Sequence, residues 1–139
     1  MPDTTATMND ILTRYRTVAV VGLSPKSHRD SYEVAQYMQS HGWRIIPINP
    51  NASQILGETA YPSLQEAARH HSIELVNVFR NSADVPPVVI DAIAVGAKAI
   101  WMQLGVVHEE AAQKARAAGL AVVQDKCLKV EFRNRQRAL

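Results

Sequence analysis

Cysteine is almost absent from this chain: Cys127 is the one example among 139 residues. A lone thiol forms no intramolecular disulfide, and its isolation also excludes cysteine-rich metal sites. Long apolar runs are missing too, since none approaches the roughly 18 residues that a membrane-spanning helix needs. Charge of one sign is not in excess: 15 basic residues face 13 acidic ones, for a formal net charge of +2. No global field therefore points to nucleic acid or a membrane surface, and the basic C-terminal end accounts for a pI near 8.9. The opening stretch MPDTTATMNDILTRY carries an acid early and has no apolar segment, unlike a secretory signal. The expectation is a cytoplasmic single domain over 1–139, with 47% hydrophobic residues enough for a core.

What is present is an alternation. Apolar runs at 17–23 (TVAVVGL), 44–49 (RIIPIN), 74–79 (ELVNVF), 98–104 (KAIWMQL) and 120–124 (LAVVQ) have the continuous, partly β-branched character of strands covered on both faces. Helical patterns separate them. Residues 32–40 put Val34, Tyr37 and Met38 on one stripe, and Gly42 follows as a stop. Ser63 with Glu66 three residues on is a capping box. Residues 84–95 carry valines and Ile93 at helical spacing, with Pro86 and Pro87 tolerated in the first turn. The segment 108–118 ends at Gly119, and 9–16 reads as a short leading helix. Residues 50–62 are irregular and fit a small surface hairpin, while VEFRNRQRAL fits a short strand or helix followed by a frayed basic tail at 132–139. The fold class is α/β: a Rossmann-like three-layer α/β/α arrangement around a five-stranded parallel sheet, expected order 3-2-1-4-5, with its core over about 17–131.

In such a sheet a ligand sits beyond the carboxyl ends of the strands, at the switch point expected here between strands one and four. That selects four loops. The first, GLSPKSHRD, turns at Gly22 and offers Ser24, Ser27 and backbone N–H groups to an anion, with Lys26, His28 and Arg29 adding positive charge. Its alternative is a solvated turn. Glycine is scarce here: after Gly22 the next is Gly42, so G-x-G-x-x-G is not met. The second loop, PINPNAS, has Asn49 where NAD-binding units place a carboxylate, so both halves of the dinucleotide fingerprint are missing. In the third, Phe79 could flank an adenine and Arg80 could pair with a phosphate; otherwise Phe79 is core and Arg80 caps an edge. In the fourth, Gln103 is the polar exception, and His108 fits a helix N-terminus without a catalytic part.

Taken in order, the motifs G-x-S-P-K, N-P, Y-P-S-L, V-F-R and W-x-Q-x-G-V over about 17–131 resemble the small stand-alone CoA-binding protein family. That family is similar in fold to the N-terminal, CoA-binding domain of the succinyl-CoA synthetase α subunit. The resemblance implies a Rossmann-like domain that binds coenzyme A. It implies that Gly22, Leu23, Ser24, Pro25 and Lys26 form the loop holding the CoA phosphates. Pro47, Asn49 and Pro50 would border adenine and ribose, Phe79, Arg80 and Val85 would cover the nucleotide's other side, and Gln103 would lie toward the pantetheine path. The neutral Asn49 is consistent with this, because a carboxylate there would repel the 3′-phosphate of CoA, whereas Lys26, Arg29 and Arg80 are available to phosphate.

No catalytic constellation is visible. Cys127, between Lys126 and Lys129, is a candidate reactive thiol for a disulfide with CoA, or else a small residue packed behind the sheet. The five histidines show no metal-ligand spacing, His70 and His71 being expected to point apart on a helix. The leading expectation is thus a non-catalytic module that binds or senses CoA or an acyl-CoA, without nucleic acid, membrane or metal. Its alternatives are a short NADP-type oxidoreductase, or an interaction module using the basic tail at Arg133, Arg135 and Arg137. An exposed fifth strand makes a homodimer an expectation.

Overall fold

The computed structural model describes residues 4–137. Five parallel strands form the central sheet: β1 (Thr17–Val21), β2 (Arg44–Ile48), β5 (Leu75–Val78), β6 (Ala99–Met102) and β7 (Ala121–Val123). Two further short strands, β3 (Gln54–Ile55) and β4 (Glu58–Thr59), make the antiparallel hairpin expected between 50 and 62. The helices are α1 (Thr4–Arg14), α2 (Asp30–Ser40), α3 (Leu64–Ala68), α4 (Val85–Ala94), α5 (Glu109–Ala117) and α6 (Leu128–Arg137). A 3-10 turn at Ser82–Asp84 leads into α4.

The alternation of side chains along each strand divides the core into two layers. On one face Ala19, Val21, Ile46, Val76, Val78, Ile100 and Met102 pack against α3, α4 and α5. On the other, Val18, Val20, Ile45, Leu75, Ala99 and Trp101 pack against α1, α2 and α6. Covering on both faces is why the strands read as unbroken apolar runs. The local signals behave as their chemistry requires. Ser63 Oγ accepts from Glu66 N–H at 3.1 Å, and His108 caps α5 by accepting from Ala111 N–H at 3.1 Å.

The strand order is β2-β1-β5-β6-β7, which in sheet strands is 2-1-3-4-5 and corrects the expected 3-2-1-4-5. The outer edge of β2 is already taken. Tyr61 forms a parallel bridge with Ile48, donating its N–H to Pro47 O at 2.9 Å and accepting from Asn49 N–H at 2.9 Å. The chain therefore crosses back to the free side of β1, where β5 pairs in parallel. The reversal, and with it the binding crevice, lies between β1 and β5 rather than between the first and fourth strands.

The C-terminal stretch also departs from expectation. Residues 128–137 form a helix, one of the two expected forms, but it continues through 132–137 where a frayed tail was expected, because Phe132 is buried edge-on against Trp43, with ring centroids 5.7 Å apart. Arg135 is tied to Glu131 Oε1 at 3.1 Å and to Asn9 Oδ1 on α1. Residues 138 and 139 of the expected tail lie outside the described residues. No helix among the described residues is long and apolar enough to cross a membrane.

Candidate functional site

The crevice at the β1/β5 reversal opens into a cleft of about 790 Å³. Its floor depends on one glycine. Gly22 has φ +88°, and a Cβ there would stand 2.2 Å from the Phe79 carbonyl oxygen. The loops after β1 and β5 can approach this closely only where no side chain intervenes. The Gly22 N–H is used by Ile48 O at 3.2 Å, and the Asn49 side chain donates to Leu23 O at 3.0 Å. The first loop is thereby pinned to the end of β2. Within it, Ser31 Oγ, buried in the first turn of α2, accepts from Ser24 N–H at 3.0 Å, and Ser24 Oγ accepts from Lys26 N–H at 3.1 Å.

Gly22, Ser24, Lys26, Arg29, Phe79 and Arg80 meet in this cleft, together with His28. Lys26, Arg29 and Arg80 are exposed, and none has a carboxylate partner among the described residues. Asp30 and Asp84 also line the wall, so the cationic surplus is local and modest. The α2 N-terminus opens here, where unpaired backbone N–H groups and the helix dipole favour an anion.

The remaining expected residues stand elsewhere. Leu23 and Val85 are buried in the two core layers, and Pro47 is buried within β2. Pro25 and Pro50 are exposed and do not line the cleft, and Asn49 is occupied in joining the two loops. Gln103 lines a second cleft of about 380 Å³, with Val34, Leu104, Cys127, Lys129 and Arg133. Phe79 and Asp30 line both clefts, so the two adjoin.

The second cleft rests on a network absent from the sequence reading. Asn77, fully buried in the middle of β5, donates through Nδ2 to Trp101 O at 3.1 Å and to Gln103 Oε1 at 3.2 Å. Leu128 N–H, at the start of α6, donates to the same Gln103 oxygen at 3.3 Å. A lone Asn in the apolar run ELVNVF was the available signal, because a buried amide needs partners across neighbouring strands. Asn81, Asp84 and Val106, which line the first cleft, carry no comparable sequence signal.

Two side chains with displaced proton affinity lie outside both clefts. Burial lowers that of His71, with Arg44 and His70 adding to the effect. Its Nε2 lies 3.2 Å from Tyr61 Oη, while His70 stacks on the Tyr61 ring, so the adjacent histidines gather on one tyrosine rather than pointing apart. Glu109 is held below the usual carboxylate range chiefly by the Gln124 side-chain hydrogen bond. No cluster of metal-binding side chains occurs among the described residues.

Comparison with known proteins agrees with this architecture. Protein YneT of Bacillus subtilis is 41% identical over 125 residues, 90% of this chain and 91% of its own. A Pyrococcus horikoshii protein structure is 36% identical with a TM-score of 0.89, covering 95% of this chain and 92% of that one. A structure from Thermus thermophilus is 27% identical with a TM-score of 0.87, covering 95% and 98%. Residues 16–133 match the model of the CoA binding domain, and the chain belongs to that family.

Proposed function

We propose that this protein binds coenzyme A or an acyl-CoA across the two clefts and acts as a binding or sensing module. One observation carries the reading. A polar cleft with three unpaired cations and a helix N-terminus adjoins, at Phe79, a smaller cleft whose lining includes a thiol and a carboxamide. A ligand with a polyanionic head and a long uncharged arm has the matching division of chemistry. The phosphates would meet Ser24, Lys26, Arg29, Arg80 and the first N–H groups of α2. The pantetheine arm would pass over Phe79 toward Gln103 and Cys127. Leu23 and Val85 lie beneath the surface, and half-buried Asn49 joins the first loop to the end of β2.

Calorimetric titration with CoA, dephospho-CoA and NADP tests this reading. CoA should bind and raise the melting temperature by mass action, and dephospho-CoA should bind more weakly if the cations read the 3′-phosphate. Binding of NADP with no heat from CoA would replace this reading with that of a short oxidoreductase.

A further inference from the structure

Gln103 is 6% exposed, yet it lines the second cleft beside Cys127. Its orientation is forced by its neighbours. The Trp101 carbonyl can only accept, so the group 3.1 Å from it must be Asn77 Nδ2. Leu128 N–H can only donate, so the Gln103 atom it meets must be Oε1, and Asn77 Nδ2 donates to that same oxygen. Gln103 Oε1 is thus turned toward α6 and β5, and Nε2 has no protein acceptor among the described residues. The result is a rigid donor with nothing to donate to, in the wall of a cleft that also holds a free, half-buried thiol.

From this we infer a thioester site: Gln103 Nε2 binds the carbonyl oxygen of an acyl-CoA, and Cys127 accepts the acyl group. The inference rests on the CoA reading above for the identity of the donor. Cys127 loses its proton to solvent, and its thiolate attacks the carbonyl carbon. Negative charge collects on the carbonyl oxygen, where Nε2–H would donate to it. The new C–S bond to Cys127 remains, and the C–S bond to CoA breaks. CoA leaves as a thiolate that takes up a proton. One thioester is exchanged for another, so no oxidant or reductant is required. The acyl group stays on the chain, which makes this single loading of a carrier rather than turnover.

Incubating the full-length protein with acetyl-CoA under reducing, mildly alkaline conditions should add one acetyl group by intact mass. The adduct should be released by hydroxylamine and be absent from Cys127→Ser. Gln103→Glu keeps an oxygen for Leu128 N–H and Asn77 Nδ2 but removes the donor. Iodoacetamide alkylates the same thiol without developing an oxyanion, so it reports thiol access and reactivity alone. In Gln103→Glu the ratio of acetylation rate to alkylation rate should fall about a hundredfold. An equal loss in both rates, or a hydroxylamine-stable acetyl group on Lys126 or Lys129, would overturn the inference. The acetyl thioester of N-acetylcysteamine, which lacks the nucleotide, separates the two readings. If acetyl-CoA binds and neither donor acetylates Cys127, the thioester site fails while the ligand assignment stands. If N-acetylcysteamine thioester acetylates Cys127 in a protein that gives no heat with CoA, the ligand assignment fails and the thioester site stands.

Discussion

In the first cleft, the groups that would meet a ligand are the tips of exposed side chains, Lys26, His28, Arg29 and Arg80, mounted on loops. In the second, Gln103 is a polar group fixed from within, held by a buried strand asparagine and a helix N–H. Exposed cations act over several ångströms, adjust to a ligand, and are screened by salt. A buried hydrogen-bonded network has one arrangement and loses much of its value when any member is removed. The difference teaches that attraction and placement are separate tasks in this fold. In the proposed binding mode the open loops gather a polyanion, while the sheet and α6 set where the other end of the ligand stops.

The largest effect is expected where the two clefts meet, at Phe79. Gly22→Ala forces a side chain into a left-handed conformation and against the Phe79 carbonyl. Chemical denaturation should show a loss of about 3 kcal/mol, the upper end for such strain because the clash adds to it. CoA binding should fall with it, because Phe79 borders both clefts. An unchanged unfolding midpoint would mean that the two loops are not held at contact distance. Next in size, Asn77→Leu leaves Trp101 O and Gln103 Oε1 short of a donor, at a cost of about 2 kcal/mol by the same measurement. A neutral result there would make the second cleft as tolerant as the first.

Legibility in the sequence followed the same division. The five strands and most helices could be read because each pattern is local: apolar runs, the Ser63 cap, prolines in the first turn of α4. The strand order could not, since it turns on Tyr61 occupying the far edge of β2, a contact between segments whose separate patterns do not reveal it. That the basic loop and Arg80 share one cleft was legible because charge next to a strand end is a surface feature. Val85 was read as a ligand contact because sequence position at a loop does not reveal a buried side chain, and for the same reason the bond from Asn49 to the first loop was not foreseen. Gln103 was legible as a polar exception and, through the family resemblance, as a residue toward the pantetheine path. Its partners, Asn77 and Leu128, come from two other elements, and no spacing rule joins them.

Lys26→Ala gives the smallest effect on the fold and the sharpest statement of what the open cleft does. Its side chain is exposed and has no ion-pair partner among the described residues, so truncation removes no native ion pair. Stability should stay within about 0.5 kcal/mol of the parent, as for surface substitutions generally. The effect should appear only with ligand present. Losing one charge-assisted contact to phosphate predicts a roughly tenfold weaker CoA affinity at low ionic strength. That difference should narrow as salt rises, because added ions screen the same attraction in the parent protein. Calorimetry at two salt concentrations measures both. A loss of affinity independent of salt would place Lys26 in a fixed, desolvated contact of the kind seen around Gln103. The distinction between a gathering cleft and a positioning cleft would then fail at its most exposed residue.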